Sequence, residues 1–479
     1  MKFTAPASVM VGGLFLLAAA MTPACSFAFQ RSLPAESCRR HRHHAASRNH
    51  PDQHTSSENN PLSLSSLSMV ASMAGAATID TSELAQRDVP GMQQWAQNYG
   101  VQTAPGVEVT SSDGGMDWFL MTQQPIAAGS PVLFVPSQMV LSSSAIQAEL
   151  GGGLTASEDM LRNLGVTNRL PLFRLMVKIL VEYEKGQDSP YFPWLNAMPR
   201  RFFNGVAMTD ACFECLPPYV SWLSQKERNN FSKFLNALRQ GQAPLSQQTI
   251  SDDALIKWAY NVALTRHNIV VAAQEKRIAP MADMLNHATN PNCEITYDAE
   301  GNCLVNANAD IAAGSPLTIT LGDPTNPSPL FATYGFLDTD CPGIFCKAME
   351  LEEEMKELGY GFKDLLIGTE GGEIAPQVWD LFLYKLLKQA NDANLPLFAE
   401  ACRNNNEETK QQYHQHYFQY TLDELKQHVN NILTTVDSLT MKANSYDLAT
   451  HPRVPVIVAH NDLVKRTFQK VQAQLNAMG

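Results

Sequence analysis

The chain has 479 residues, enough for about two or three domains, and its 44% hydrophobic content is typical of a globular protein and argues against a disordered one. Its formal net charge is −12 at pH 7, with 35 Lys and Arg against 47 Asp and Glu. Because such a surface repels nucleic acid and anionic membranes, the composition argues against a general binder of phosphate backbones and leaves a protein substrate or partner as the easier fit.

The first 75 residues have the pattern of a two-part targeting sequence. Lys2 precedes an apolar stretch at 9–20 that is shorter than the about twenty residues of a membrane span, and a small-x-small site predicts cleavage after Ala28. Residues 29–75 are rich in Ser, His and Arg and poor in acids, as transit peptides are. Signal peptide 1–28 plus transit peptide 29–75 resembles the presequence of plastid proteins in algae with secondary plastids. We therefore expect a plastid location, with secretion as the alternative.

The remaining chain alternates between strand-like and helical patterns. Segments with alternating apolar residues, read as strands, are 107–110, 118–121, 131–136, 293–297, 303–308 and 317–321. Segments with apolar residues at three- and four-residue spacing, read as helical, are 81–99, an insert over about 142–255, 256–267, and most of 343–479 with clear runs at 379–387 and 420–439. This order predicts an α+β protein with a helical insert and an all-α C-terminal lobe.

The nine cysteines are too few and too scattered for a disulfide framework, so reduced thiols are expected. Cys212-Phe213-Glu214-Cys215 is the one C-x-x-C motif in the sequence. A structural zinc needs four ligands and no second pair follows, so we predict no metal site and interpret the pair as two buried small side chains on a helix. A redox or metal role for the pair is the weaker alternative.

Several motifs follow one another in a specific order. Thr265-Arg266 ends a predicted helix, the apolar run 279–285 ends in Asn286-His287, Ile311-Ala312-Ala313-Gly314 lies downstream, and Tyr334-Gly335-Phe336 comes last. These motifs fit neither a phosphate-binding loop nor a hydrolase nucleophile elbow. Their order, together with Ser189–Pro199, resembles the SET-domain protein methyltransferases of the Rubisco large-subunit lysine methyltransferase type.

The resemblance covers roughly residues 95–475 and implies both a fold and an activity. It implies a SET-type β-fold with a pseudoknot over 81–340, interrupted by the helical insert, and a helical substrate-binding domain over 343–479 on which a protein substrate docks. It implies S-adenosylmethionine as the cofactor and N-methylation of a protein lysine as the reaction. Transfer of a methyl group from a sulfonium is an in-line displacement, which needs alignment and exclusion of water more than it needs a metal.

The resemblance also assigns residues. It gives catalytic roles to Tyr334 and Tyr297, and cofactor-binding roles to Thr265, Arg266, Asp283, Asn286, His287 and Phe336. Taken by themselves, Arg266 is an ordinary ion-pair partner for Asp283, and Tyr297 is a half-buried strand residue. A lysine must reach the methyl group uncharged, and an apolar channel beside a positive sulfonium favours that form.

Two positions depart from the family pattern. Leu321 stands where the family has the tyrosine that orients the amine, and it has no hydroxyl. Asp117 and Phe119 occupy the positions of the Gly-x-Gly turn at the methionine end of the cofactor, although Gly114-Gly115 offers a shifted turn. Two alternatives therefore stay open besides lysine methylation: a protein-histidine N-methyltransferase, and a catalytically silent adaptor that binds a protein partner through its helical lobe.

Overall fold

The computed structural model describes residues 79–270, 274–323 and 325–479. The predicted signal and transit peptides, residues 1–75, lie outside the described residues. The helices are α1 Val89–Asn98, α2 Ser143–Leu150, α3 Thr155–Asn163, α4 Leu170–Glu184, α5 Phe192–Ala197, α6 Asp210–Phe213, α7 Pro218–Gln240, α8 Gln247–Ser251, α9 Asp253–Arg266, α10 Pro327–Tyr334, α11 Glu352–Leu358, α12 Pro376–Gln389, α13 Leu395–Arg403, α14 Glu407–Ala443 and α15 Val454–Ala477.

The strands are short and lie mainly in the first two thirds of the described chain. They are β1 Gln102–Thr103, β2 Val107–Thr110, β3 Phe119–Thr122, β4 Pro131–Val135, β5 Leu141–Ser142, β6 Asn268–Val270, β7 Glu275–Ile278, β8 Asn286–His287, β9 Cys293–Tyr297, β10 Cys303–Ala307, β11 Ser315–Pro316, β12 Thr318–Ile319, β13 Gly343–Phe345 and β14 Leu366–Gly368. Within the described ranges they form small sheets in the orders β1-β4-β10-β9, β11-β3-β2, β5-β7-β6, β8-β12 and β13-β14.

One strand pair differs from the others in direction. β8 and β12 are parallel, with Asn286 beside Thr318 and His287 beside Ile319, whereas the other described pairs are antiparallel. A parallel pair needs a crossover connection, and here β9, β10 and β11 supply it. The pairing brings the Asn-His motif alongside the segment that leads into α10 and Tyr334.

The predicted α+β class, with a helical insert and a helical C-terminal part, is confirmed. β5 and β7 pair across the insert, so the chain leaves the sheet at Ser142, forms α2 to α9, and returns after Arg266. The C-terminal part adds one feature that the periodicity did not predict, the short pair β13 and β14. Three-residue strands carry too few alternations to be recognised in a sequence.

The first predicted helix, 81–99, is shorter than expected because local chemistry fixes its start. α1 begins only at Val89, where Asp88 Oδ1 accepts a hydrogen bond of 2.9 Å from the Gly91 N–H and Pro90 occupies the first turn. Aspartate at the N-cap and proline in the first turn are typical of a helix start, so residues 81–87 stay outside the helix.

Two main cores are connected by a smaller apolar cluster. The first core lies among the small sheets and the insert, and the second among α11 to α15. The smaller cluster contains Phe331 of α10, Cys212 and Cys215, and Ala443 and Ile457 of the C-terminal helices. Phe331 therefore anchors α10, which carries Tyr334, to both the insert and the C-terminal lobe.

The described cysteines are all buried thiols without a disulfide partner. Cys212 lies in α6 and Cys215 just beyond it, and burial raises the pKa of the Cys215 thiol. Within the described ranges, no three His, Cys, Asp or Glu side chains gather as metal ligands do. In the same ranges, every helix is too short or too polar to cross a membrane.

A chain beginning at Ala76 is expected to melt at the same temperature as one beginning at Phe29, because the described fold keeps its first buried residue, Ile79, in both. Ile79 is buried in the first core, and its carbonyl accepts a hydrogen bond of 3.3 Å from Tyr183. A chain beginning at Leu84 is the matched control, since it also loses Glu83 and its ion pairs. Calorimetry that finds the Ala76 chain markedly less stable than the Phe29 chain would contradict the prediction.

Candidate functional site

The Asn-His motif presents one side chain outward and one inward. The preceding turn, Ala282–Met284, is fully buried, and Met281 enters it with a left-handed φ of 74°. β8 then alternates as a strand does, so the Asn286 side chain is exposed and the His287 imidazole is 3% exposed. Asn286 is thus free to bind a ligand, while His287 is part of the packed structure.

The hydrogen bonds of His287 determine its tautomer. The Leu321 N–H donates to Nδ1 at 3.1 Å, so this nitrogen carries a lone pair and the proton lies on Nε2. Nε2 donates to Asp338 Oδ2 at 3.0 Å, and the Thr289 hydroxyl donates to the same oxygen at 2.6 Å. Burial opposes ionisation of Asp338, but these two donors, together with the Asp340 N–H, outweigh it and lower its pKa. A neutral imidazole therefore joins β8, the backbone at Leu321 and the segment after Phe336.

Asp338→Asn is expected to destabilise the fold by about 1–3 kcal/mol at pH 7, because a buried carboxylate that accepts three hydrogen bonds is lost. The folded pKa of Asp338 lies below its unfolded value, so its contribution is complete above about pH 4 and is lost as the pH falls through the folded pKa. Urea unfolding should show a difference between the two proteins that shrinks in acid. Asp340→Asn, an exposed neighbour, is the control; an Asp338→Asn variant no less stable than this control would contradict the prediction.

Tyr334, Phe336 and His287 form an aromatic group at the end of α10. The ring centroids of Tyr334 and Phe336 are 5.9 Å apart, and those of Phe336 and His287 are 5.4 Å apart. Gly335 between them has a φ of 85°, and a Cβ there would lie 2.5 Å from the backbone of Phe203 and Asn204. Only glycine fits this turn, which is why a glycine separates the two aromatic residues.

The Tyr334 hydroxyl lies beside Leu321, the residue that departs from the family pattern. It donates to the Leu321 carbonyl at 3.2 Å, and burial raises its pKa to about 12, so it stays protonated at neutral pH. The Leu321 side chain packs against the first core. A phenolic O–H is therefore present next to Leu321, although residue 321 itself supplies none.

A group of charged side chains lies next to the Asn-His motif. Arg266 Nη1 donates to the Asp283 carbonyl at 2.7 Å, and Trp194 Nε1 donates to Asp283 Oδ2 at 3.0 Å. Burial raises the pKa of Asp283, while the charge of Arg266 and the bond from Trp194 oppose the rise. The Ser189–Pro199 segment thus has a defined function, since its tryptophan holds the Asp283 carboxylate.

Arg87 and Asp117 complete this charged group. Arg87 donates to the Ala197 carbonyl at 2.8 Å and to the Met116 carbonyl at 2.9 Å, and burial together with repulsion from Arg266 lowers its pKa to about 9. Asp117 is exposed, yet partial loss of water raises the pKa of its carboxyl against the attraction of Arg266. Cationic and anionic side chains of this group therefore lie close enough to shift one another's pKa.

Three atoms in this group are buried without a hydrogen-bond partner among the described residues: Arg87 Nη2, Arg266 Nε and Asp283 Oδ1. Leaving a buried polar atom unpaired costs about 1–3 kcal/mol, so a ligand or water that supplies the partner is favoured at such atoms. The arrangement fits a polar ligand with both a cationic and an anionic group.

The Gly-Gly turn precedes Asp117 and is shaped by hydrogen bonds from its own loop. Gly114 and Gly115 have φ values of 78° and 100°, which a side chain would strain. Asp113 Oδ1 accepts from the Asp117 N–H at 2.9 Å, and Trp118 Nε1 donates to the Gly115 carbonyl at 2.9 Å. The left-handed glycines therefore lie before positions 117 and 119, where the family pattern predicts glycine, and Asp117 follows them.

A family model described as the SET domain matches residues 117–322. The fold of these residues is the SET fold. The chain also resembles solved structures described as the SET domain of LSMT bound to lysine and AdoHcy (TM-score 0.56, 15% identity, 81% of this chain and 91% of that one) and Rubisco LSMT bound to AdoMet (TM-score 0.56, 14% identity, 82% and 92%). At these identities the likeness establishes the fold. No curated protein sequence matches the chain.

Two further predicted site residues, Thr265 and Tyr297, make contacts of their own. The Thr265 hydroxyl donates to the Asn261 carbonyl at 2.8 Å, one turn back in α9. Tyr297 lies on β9 under the Arg277 guanidinium, 4.7 Å from its ring centroid, and its buried hydroxyl has no hydrogen-bond partner among the described residues. Burial raises the pKa of Tyr297, so this hydroxyl stays protonated and can donate a hydrogen bond to a ligand.

Asp338, Arg87 and Trp194 are functional candidates that the sequence patterns did not single out. Asp338 contacts His287 from 51 positions away, and Arg87 contacts Met116 from 29 positions away. Contacts of this separation follow from the fold and leave no periodic signal. The position of Asp338 two residues after Tyr334-Gly335-Phe336 is the one local hint.

Proposed function

We propose that the SET domain binds S-adenosylmethionine and transfers its methyl group to a nitrogen of a protein side chain, lysine first. The observation that carries the proposal is the set of unpartnered buried atoms on Arg87, Arg266 and Asp283 beside the exposed Asn286, inside a SET domain. Support comes from the solved SET-fold structures similar to this chain, whose ligands are AdoMet, AdoHcy, lysine and monomethyllysine.

The charges of the site match those of this cofactor. When bound, S-adenosylmethionine supplies an electrophilic methyl group on a sulfonium. Arg266 and Asp117 offer opposite charges for the carboxylate and ammonium of an amino-acid end, and Asn286 offers an amide with both donors and an acceptor for a nucleobase. His287 supports this edge through its buried ring.

The residues around Tyr334 would prepare the acceptor. Phe336, Leu321 and the Tyr334 ring form an apolar wall, which disfavours the charged form of an amine and excludes water. The Tyr334 hydroxyl donates its proton to the Leu321 carbonyl, and its oxygen would accept a hydrogen bond from an incoming amine N–H and so orient that nitrogen. This arrangement would act by aligning the nitrogen with the methyl group and by excluding water. No residue of the protein has to gain or lose a proton permanently.

The proposal is tested by transfer of an isotopically labelled methyl group. Purified protein, labelled S-adenosylmethionine and fractionated plastid proteins should give labelled bands, and peptide mapping should locate the label on lysine. Label on histidine would instead identify the protein as a protein-histidine N-methyltransferase. No transfer, combined with no cofactor binding, would overturn the proposal.

A second candidate function is a SET-fold adaptor that binds a protein partner and has lost its chemistry. Leu321 favours it, because the orienting hydroxyl of the family is missing at that position. Binding of the cofactor distinguishes the two candidates, since an adaptor has no need to bind S-adenosylmethionine.

We further propose a plastid location for the protein, on the basis of the signal-plus-transit composition of residues 1–75. A fluorescent protein fused after residue 75 should be imported into plastids. Secretion of the fusion to the cell exterior would contradict this location.

A further inference from the structure

A polar cleft lies on the helical insert, outside the groups that we assign to the cofactor. Its volume is about 520 Å³, and its lining comes from the loop before α4 and from one face of α7. Its main lining residues are Asn168, Arg169, Trp222, Lys226, Asn229 and Lys233. A cleft of this volume is large enough for a few side chains of a peptide.

The lining of the cleft is basic although the chain as a whole is acidic. Lys226 lies 5.4 Å from the ring centroid of Trp222, and Lys233 donates to the Leu164 carbonyl at 3.2 Å. Neither ammonium pairs with a carboxylate anywhere in the described ranges; their partners there are a neutral ring and a neutral carbonyl. In a protein of net charge −12, two cations without acidic partners in one cleft are an attractive site for an anion.

Amides and an aromatic side chain accompany the two cations. Asn168, Gln225 and Asn229 are exposed in the lining and can donate to and accept from a peptide backbone. Trp222 is 40% exposed, which is high for a tryptophan in a monomeric protein, and gives the cleft an apolar edge. This combination suits a peptide better than it suits a bare inorganic ion.

The helix that lines the cleft, α7, also packs against α10, which carries Tyr334. Arg169 pairs with the buried Glu227 through both of its terminal nitrogens, and the Tyr260 hydroxyl donates to Glu227 at 3.3 Å. Glu227 lies on α7, which packs against α10, and its charge adds to the effect of burial in raising the pKa of Tyr334. One helix therefore borders both the cleft and the proposed acceptor site.

We infer that this cleft binds an acidic segment of the protein substrate, with its carboxylates at Lys226 and Lys233 and its backbone at the amides. The inference rests on the proposed function, because it treats the occupant as part of the methyl acceptor. It assigns the substrate to the class of proteins that carry glutamate or aspartate close to the modified residue.

Fluorescence anisotropy with the purified full chain tests the inference. The probe is a fluorescein-labelled peptide with one central lysine flanked by two glutamates on each side, compared with the same peptide carrying glutamines. The acidic peptide should bind about tenfold more tightly, and its affinity should fall as salt is added. The double variant Lys226→Gln/Lys233→Gln should lose that advantage, whereas Lys257→Gln, an exposed lysine on α9, should keep it.

Equal binding of the two peptides, or an unchanged preference in the double variant, would overturn the inference. Displacement of the acidic peptide by less than about 1 mM inorganic phosphate would also overturn it, because the cleft would then be a small-anion site. Titration of S-adenosylhomocysteine into the same variant separates this result from failure of the proposed function. If the peptide preference is lost and cofactor binding is intact, the result bears on the cleft alone. If cofactor binding is absent and the peptide preference is intact, the result bears on the methyltransferase assignment alone.

Discussion

Leu321→Tyr is expected to raise methyl transfer to a lysine-containing substrate, by about a hundredfold if the native protein is slow, and to create it if the native protein is silent. The reason is that the resemblance places residue 321 where the family has its amine-orienting hydroxyl, while the native chain has a leucine there and offers the Tyr334 hydroxyl, which donates to the Leu321 carbonyl at 3.2 Å. Single-turnover kinetics with labelled cofactor measures the change.

Tyr334→Phe is the complementary variant. It removes the phenolic hydroxyl that donates to the Leu321 carbonyl, so turnover should fall by about a hundredfold while cofactor binding stays intact. Tyr99→Phe, an exposed tyrosine after α1, is the control. Full turnover in Tyr334→Phe together with loss of turnover in Leu321→Tyr would mean that the pocket is arranged differently, and the lysine assignment should then give way to histidine. Tyr297, with its unpartnered hydroxyl, would be the next donor to test.

Asn286→Ala is expected to weaken binding of S-adenosylhomocysteine by about ten- to hundredfold, which corresponds to about 1–3 kcal/mol. The Asn286 side chain is exposed at the edge of β8, so truncating it costs little in stability and removes a directional hydrogen bond that a ligand would bury. Asn290→Ala is a matched control, since Asn290 is exposed and lies four positions further along the chain. Calorimetry that gives the same dissociation constant for Asn286→Ala as for the native protein would contradict a role for Asn286.

The sequence predicted the elements of the fold wherever hydrophobic periodicity was strong. The strand Cys293–Tyr297 agrees residue for residue, and the runs at 379–387 and 420–439 lie inside α12 and the 37-residue α14. Boundaries set by caps and tertiary contacts were less predictable, as the late start of α1 at Val89 illustrates. Propensity alone does not decide between a helical turn and a loop where one carboxylate caps the chain.

The candidate site was predictable as a set of motifs but not as a set of contacts. The resemblance pointed to Asn286, His287, Tyr334 and Phe336, and the fold brings His287, Tyr334 and Phe336 into one aromatic group. Nothing in the sequence connects His287 to Asp338 or Asp283 to Trp194, because these pairs are joined only when the chain crosses over between β8 and β12 and when the insert packs back on the sheet. The hydrogen-bond partners of buried charged side chains could therefore be identified only from the structure.

The most direct test of the central claim is calorimetric titration of the purified chain with S-adenosylhomocysteine. The proposed methyltransferase should bind one molecule per chain with measurable heat, and the ligand should raise the melting temperature in proportion to its concentration relative to the dissociation constant. Absence of both heat and stabilisation at millimolar ligand would contradict a cofactor site at Asn286 and Arg266, and would leave the SET domain of this protein as an adaptor.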